Sequence, residues 1–214
     1  MSFSEKQWKN TLLEIFKTPF DAQEAHQEMA PYRKKIEDQN IKNAIRCAVG
    51  IHIFFEEEPK FILIERPLTM RKHAGQIAFP GGKMDQSDAN LLETANRESE
   101  EELGINRNEA KNIGELNPIF IPVTNYLVSP FVFIHEEKPV LNVNDLEVND
   151  FLFISFSQLI HPTSRTKRRI HLEEGKWLSD VPCFEMENKI IWGATSLILN
   201  ELKERIIPFL PPTV

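Results

Sequence analysis

An arginine followed by closely spaced glutamates marks the segment Arg97 to Ile105, R-E-S-E-E-E-L-G-I, as a place where chemistry could occur. Each residue of an α-helix advances by about 100°, so Glu98, Glu101 and Glu102 would share one arc of roughly 100°. Like charges at these spacings destabilise a helix, and a divalent cation relieves the repulsion. Mg²⁺ or Mn²⁺ prefers such oxygen ligands. The spacing therefore predicts a metal site, and the alternative is an ordinary solvated charged face.

A helix must position these carboxylates. The pattern predicts it from about Ala89 to Leu103, with Ser87 or Asp88 as N-cap and Gly104 at its end. Its rotation places Glu100 on the side opposite the three carboxylates, where water can solvate it. The face expected to pack lies immediately beside the carboxylates and consists of Leu92, Ala95, Ser99 and Leu103.

The elements around this helix predict an α/β fold with a mixed β-sheet and helices packed on it. We expect an N-terminal helical extension over residues 1–43 and one further domain over residues 44–214. A basic loop at Arg165–Arg169 is predicted to precede a weaker strand pair, and a last helix is predicted at Trp192–Ile207. Short apolar runs predict strands at Ala44–Phe55, Lys60–Glu65, Ile77–Phe79, Ile119–Val123, Leu127–Ile134 and Asp150–Ile154.

Composition excludes several classes of protein. The 214 residues are 41% hydrophobic and carry a net charge of −7, which disfavours nucleic-acid or membrane-surface binding. Two cysteines without paired spacing support neither a disulfide framework nor a zinc site. No run approaches the length of a membrane span, and the start is polar. We therefore expect a cytoplasmic protein, and an anionic substrate would need a bound cation.

The segment Arg97 to Ile105 resembles the Nudix box, G-x5-E-x7-R-E-U-x-E-E-x-G-U, in which U is a bulky apolar residue. The resemblance implies an α/β/α sandwich in which Glu98, Glu101 and Glu102 hold the metal while Arg97 orients them. Ser99 departs from the pattern, so a neighbouring side chain must complete the packing there. The upstream glutamate is also absent, and Asp88 is the nearest acid. The residues that match are Arg97, Glu98, Glu101, Glu102, Gly104 and Ile105.

The stretch from Ile62 to Asp85, ILIERPLTMRKHAGQIAFPGGKMD, resembles the extended signature of the coenzyme A pyrophosphatases. Members of that subfamily commonly carry the one-residue loop extension seen here between Gly82 and Arg97. The resemblance implies Mg²⁺- or Mn²⁺-dependent cleavage of coenzyme A or its thioesters to (acyl-)4′-phosphopantetheine and adenosine 3′,5′-bisphosphate. The residues then expected to bind substrate are Arg66, Arg71, His73, Gln76 and Gly82.

Several alternatives stay open at this point. The general base is expected to be a box glutamate, with Glu102, Glu147 and Asp150 competing. The substrate could instead be another nucleoside diphosphate derivative, such as ADP-ribose or NADH. A further hypothesis is that the protein is not an enzyme but a catalytically inactive nucleotide-binding module. We also expect that the protein could form a homodimer, although no sequence motif indicates one. The basic run at Arg165–Arg169 would be a solvated loop or a contact for the 3′-phosphate, and His135 is expected to be a surface or packing residue.

Overall fold

The computed structural model describes residues 3–30, 41–69, 73–172 and 175–210. Five α-helices lie wholly within these ranges: α1 (Glu5–Lys17), α2 (Gln23–Met29), α3 (Leu91–Leu103), α4 (Phe156–Ile160) and α5 (Ala194–Ile206). The strands are β1 (Ile45–Phe55), β2 (Pro59–Glu65), β3 (Ile77–Ala78), β4 (Gly81–Lys83), β5 (Ala110–Glu115), β6 (Ile119–Ile121), β7 (Tyr126–His135), β8 (Asp150–Ser155), β9 (Arg165–His171), β10 (Trp177–Met186) and β11 (Lys189–Ile191).

Strand β1 is the centre of an eight-stranded mixed sheet. It pairs in parallel with β7 and antiparallel with β2 and β4. Because both faces of β1 are covered, its sequence is almost continuously apolar instead of alternating. Ile51 and Ile53 enter the larger core, whereas Ala48 packs with Ala95 of α3 and Phe133 of β7 on the opposite face.

Helices cover both faces of this sheet. On one side, Leu12 of α1, Met29 of α2 and Leu199 of α5 belong to the same buried cluster as the β1 isoleucines. On the other side, α3 packs on β1 and β4. The predicted α/β/α sandwich with a mixed sheet is therefore confirmed. The division at residue 43 stays a prediction, and residues 31–40, part of the predicted extension, lie outside the described ranges.

The start of α3 differs from the prediction, and its end agrees. Asn90, and neither Ser87 nor Asp88, is the N-cap, since its side chain accepts a hydrogen bond from the backbone N–H of Glu93 at 3.0 Å. Gly104 ends the helix in the left-handed conformation, with φ of 70°, as the sequence indicated. The cap prediction was wrong for Asp88 because its carboxylate pairs with Arg97 instead.

The structure also corrects the prediction made for the basic run Arg165–Arg169. Arg165–Arg169 belongs to strand β9, which pairs with β10 in a separate three-stranded sheet, so the predicted loop is wrong. Arg165 and Arg168 form ion pairs with Glu28 and Glu185, which gives these residues a structural use. A cluster of charges near a turn and an edge strand with exposed side chains have the same local sequence pattern.

Within the described residues, no helix combines the length and the apolar character that crossing a membrane requires.

Candidate functional site

Two glycines bring backbone directly against the carboxylate helix. In β4, Gly81 and Gly82 pair with Val49 and Ala48 of β1. Gly81 has φ of 154°, and a Cβ there would lie 2.3 Å from the Ala48 carbonyl oxygen. A Cβ on Gly82 would lie 2.4 Å from the carboxylate of Glu98. A side chain at Gly81 would strike the backbone of β1, and one at Gly82 would displace the Glu98 carboxylate, so the Gly82 backbone forms one wall of the site.

Glu102 is the buried member of the acidic group, with 4% of its surface exposed. Its Oε2 accepts a hydrogen bond from the backbone N–H of Gly81 at 2.8 Å. Burial raises the pKa of this carboxyl group to about 8, and the charges of Glu98 and Glu147 push the pKa in the same direction. A cation beside Glu102 would reverse this effect, because it favours the ionised form.

Arg97 has a defined acid partner. Its Nε and Nη2 donate to the two oxygens of Asp88, each at 3.0 Å, in a bidentate pair. Nη2 also donates to the carbonyl oxygen of Lys83 at 3.0 Å. The pair holds the pKa of Asp88 down at about 2, chiefly through the hydrogen bonds from Arg97. Asp88, the acid nearest to the missing upstream glutamate, is therefore the partner of Arg97, and the pair ties the loop of residues 83–88 to α3.

The same guanidinium gathers two of the predicted metal ligands. Arg97 Nη1 donates to Glu98 at 2.9 Å and to Glu101 at 2.8 Å. Glu98 is mostly buried, and burial raises its pKa, whereas the side chain of Glu101 is about half exposed. The arrangement accords with the predicted orienting role of Arg97, which stays a prediction.

The fit to a divalent cation depends on donor chemistry. In the part of the chain that the structure describes, no three His, Cys, Asp or Glu side chains converge as ready metal ligands. Glu101 in particular turns toward Arg97. The donor set still suits a hard cation, since Glu98 and Glu102 are crowded carboxylates with raised pKa values beside the Gly82 backbone. The residues fit Mg²⁺ or Mn²⁺ by type and charge, and Glu101 would complete the set.

The two later acids predicted as alternative bases differ in placement. Glu147 is exposed, and its charge raises the pKa values of both Glu98 and Glu102, so it lies at the acidic site. Asp150 opens β8 opposite Glu65, and its carboxylate accepts from the N–H of Phe151. The choice of a box glutamate as base stays a prediction, with Glu147 the alternative nearest the site.

The signature loop folds back on itself beside Glu102. The backbone N–H of Arg66 donates to the carbonyl of Gln76, and that of Gly75 donates to the carbonyl of Arg66. His73, with φ of 60°, places its Nδ1 3.0 Å from the side-chain oxygen of Gln76. The positive charge of Arg66 lowers the pKa of Glu102. Arg71, also predicted to bind substrate, lies outside the described residues.

Sequence reasoning missed two buried histidines behind the carboxylate helix. Ser99 Oγ, at the position where the box expects an aliphatic residue, lies 2.8 Å from His52 Nε2. His52 Nδ1 lies 3.0 Å from His135 Nε2, and the His52 ring stacks on Phe133. His135 is therefore buried, as expected of a packing residue and not of a surface residue, and its ring nitrogen also contacts His52. The departure at Ser99 was the available signal, since a buried hydroxyl needs a partner.

Comparison with known proteins identifies the family to which the chain belongs. The NUDIX domain matches residues 45–174. A Yersinia enterocolitica protein named as an uncharacterized Nudix hydrolase, NudL, is 33% identical over 164 residues, which is 77% of this chain and 83% of that protein. Its counterpart in Yersinia pestis strain Pestoides F is 34% identical over 161 residues, covering 75% of this chain and 79% of that protein.

Solved structures share the fold at low sequence identity. The Nudix hydrolase RenU from M. smegmatis aligns with a TM-score of 0.53 at 11% identity, over 80% of this chain and 90% of that one. The MutT protein from Methanosarcina mazei Go1 aligns with a TM-score of 0.50 at 20% identity, over 75% and 93%. Since the domain match spans more than half of the chain and the NudL proteins are about one third identical to it, this protein belongs to the Nudix family and is a hydrolase of phosphorus-containing anhydrides.

Proposed function

We propose that this Nudix hydrolase is a Mg²⁺- or Mn²⁺-dependent pyrophosphatase that cleaves coenzyme A or its thioesters. The products would be 4′-phosphopantetheine, or its acylated form, and adenosine 3′,5′-bisphosphate. The proposal extends the family assignment by naming the substrate and the metal, and it rests on the signature between Ile62 and Asp85. The cytoplasmic setting and a homodimer remain predictions that accompany it.

The observation that carries the proposal is the position of the signature loop. The loop from Arg66 to Gln76 closes on itself by backbone hydrogen bonds, and Arg66 lies close enough to act electrostatically on Glu102. Arg66 Nε is buried and has no hydrogen-bond partner within the described residues. A buried donor without a partner is costly, and a substrate phosphate oxygen would satisfy it. Arg66, at the start of the signature loop that suggests the substrate, thus lies near Glu102, one of the carboxylates that suggest the metal-dependent chemistry.

Each group then has a defined task. A divalent ion bound here would supply charge neutralisation for the pyrophosphate and activation of a water molecule. Glu98, Glu101 and Glu102 would hold the ion. Arg97, itself paired with Asp88, keeps Glu98 and Glu101 in place, and the N–H of Gly81 holds Glu102. Arg66 would bind the anionic substrate, and the closed loop would orient it for attack, which is a large part of catalysis at phosphorus.

A substrate panel tests this proposal directly. Purified protein is incubated with Mg²⁺ or Mn²⁺ and with coenzyme A, acetyl-coenzyme A, ADP-ribose or NADH at equal concentration, and products are identified by mass. We expect the highest kcat/KM for coenzyme A or a thioester, with adenosine 3′,5′-bisphosphate released. Preference for ADP-ribose or NADH would replace the proposed substrate, and tight nucleotide binding without any product would favour the inactive module.

Replacing Arg66 with alanine is expected to raise KM for the substrate roughly tenfold or more, because a buried charge-assisted hydrogen bond to a phosphate is worth about 1.5–3 kcal/mol. The variant should fold normally, since the Arg66 Nε forms no hydrogen bond with a described residue. Arg107→Ala serves as control, because the one ion pair of Arg107 with a described residue is its exposed pair with Glu93. Steady-state kinetics with the preferred substrate measures the effect, and an unchanged KM would remove Arg66 from the binding site.

Metal affinity should depend on pH through Glu102. In the metal-free protein the pKa of Glu102 is about 8, so a cation must displace its proton at lower pH. Affinity for Mg²⁺ or Mn²⁺ is therefore expected to rise as pH increases toward 8 and then to level off. Calorimetry at pH 6.5 in two buffers of different ionisation enthalpy should detect proton release on binding. Proton release of the same size from Glu102→Gln would assign the effect to another group.

A further inference from the structure

A series of buried hydrogen bonds joins the carboxylate helix α3 to the centre of the sheet. Ser99 Oγ lies 2.7 Å from the carbonyl oxygen of Ala95 and 2.8 Å from His52 Nε2. His52 Nδ1 lies 3.0 Å from His135 Nε2. Ser99, His52 and His135 are each 1% exposed, so water cannot readily substitute for any of these partners. We call these three residues the His–His–Ser chain.

The direction of the hydrogen bonds follows from the chemistry of the groups. A carbonyl oxygen only accepts, so the short contact with Ala95 requires the single hydroxyl proton of Ser99. Ser99 Oγ must then accept from His52 Nε2–H. Burial lowers the pKa values of both imidazoles, that of His135 to about 4, so each ring is neutral at pH 7. His52 Nδ1 therefore accepts from His135 Nε2–H, and both rings carry their proton on Nε2.

The fold makes room for this arrangement. A Cβ on Gly50 of β1 would lie 2.7 Å from His52 Nε2 and 2.8 Å from Ser99 Oγ, so only glycine leaves the contact free. The ring of His52 stacks on Phe133 with 8° between the planes, which fixes its orientation. The His–His–Ser chain thus has one geometry, which the neighbouring strands β1 and β7 set.

We propose that His52 and His135, acting through Ser99, are positioning residues that fix the rotation of α3 on the sheet and thereby the direction of Glu98 and Glu102. The inference rests on the proposed metal site. Ser99 directly follows Glu98 and lies three residues before Glu102, so its anchoring controls both carboxylates. A hydrogen bond has a preferred direction, whereas an aliphatic side chain at this position would hold the helix by contact alone.

Mn²⁺ affinity measured by calorimetry on the full chain tests the role. Ser99→Ala and His52→Phe are expected to weaken Mn²⁺ binding about tenfold, the effect typical of groups that orient metal ligands. His52→Gln keeps a donor toward Ser99 and should recover most of the affinity. Ser164→Ala is the matched control: its hydroxyl is also buried and donates to main-chain carbonyls, at Leu159 and His161, remote from the carboxylates in sequence. It should lower stability without changing affinity.

The outcomes separate this inference from the proposed function. The positioning role would be contradicted if Ser99→Ala and His52→Phe bound Mn²⁺ within twofold of the wild type while their melting temperatures fell as in Ser164→Ala. The His–His–Ser chain would then serve core packing alone. Failure of the wild-type protein to bind Mn²⁺ would overturn the metal site itself, and the positioning role with it.

Nitrogen-15 NMR of the wild type gives a second readout that needs no variant to fold. It should show His52 and His135 as neutral Nε2–H tautomers, and an Nδ1–H tautomer at His52 would contradict the chain.

Discussion

Glu102→Gln is expected to lower kcat about 10³-fold, equivalent to about 4 kcal/mol of transition-state stabilisation, because it removes a charged metal ligand. The amide oxygen of glutamine can still accept the hydrogen bond from the N–H of Gly81. The substitution therefore changes the charge while keeping the shape of the site.

The same variant should be at least as stable as the wild type when both are metal-free. The folded-state pKa of Glu102 is about 8, above the usual value of 4.5. A raised pKa means that the unfolded chain releases this proton first as pH increases. Stability is then complete below about pH 4.5 and is lost as pH rises toward 8. Glutamine has no proton to release, so its advantage over the wild type should grow between pH 5 and 8.

Kinetics with the preferred substrate and denaturant unfolding in a metal chelator measure the two effects. Glu100→Gln is the matched control, since Glu100 is exposed in the same helix and should change neither quantity appreciably. Activity of Glu102→Gln within tenfold of the wild type would remove Glu102 from the ligand set. A loss of stability together with activity would instead indicate that the carboxylate supports the fold.

Arg97→Gln is expected to lower the free energy of unfolding by about 3 kcal/mol, because it leaves the buried carboxylate of Asp88 without its bidentate partner. For a protein of this size that corresponds to a fall in melting temperature of roughly 6–12 °C. The variant also removes the donor shared by Glu98 and Glu101, so metal affinity should fall as well. Arg107→Gln is the control, since its exposed pair with Glu93 should contribute less than about 1 kcal/mol.

Acid unfolding provides the decisive comparison for this pair. The folded-state pKa of Asp88 is about 2, below the usual 3.8, so the pair stabilises the fold above pH 3.8 and loses its effect as pH falls toward 2. The stability difference between the wild type and Asp88→Asn should therefore shrink over that interval. The double variant Arg97→Gln/Asp88→Asn should lose less than the sum of the single variants. Strict additivity would show that the two residues act independently.

The sequence could predict the reaction class and the carboxylate face of the helix because the relevant information is local. Helical geometry alone puts Glu98, Glu101 and Glu102 on one face, and Gly104 ends the helix where the pattern required it. Ala95, Ser99 and Leu103 are buried as the rotation predicted. Strands β1 and β2 were found within a residue of their bounds because their apolar runs are long and separated by a turn.

Contacts distant in sequence decided the rest. Asp88 is a plausible helix cap by sequence, yet its carboxylate binds an arginine nine residues away, and Asn90 caps the helix. The basic segment after Ser164 looked like a loop because nothing local reveals its pairing with β10. Ser99 signalled a missing partner, but that partner lies 47 residues away on β1.

By itself, the sequence determined the family, the class of reaction and the face of the helix that carries the carboxylates, since periodicity and a short motif suffice for these. Only the tertiary structure decided that Asp88 pairs with Arg97, that Glu101 turns toward that arginine, and that Glu102 is buried enough to raise its pKa to about 8. The physical reason is that burial, charge proximity and hydrogen-bond partners arise where β4, β1 and α3 pack together. These elements are separated in sequence, so no local pattern can reveal their contacts.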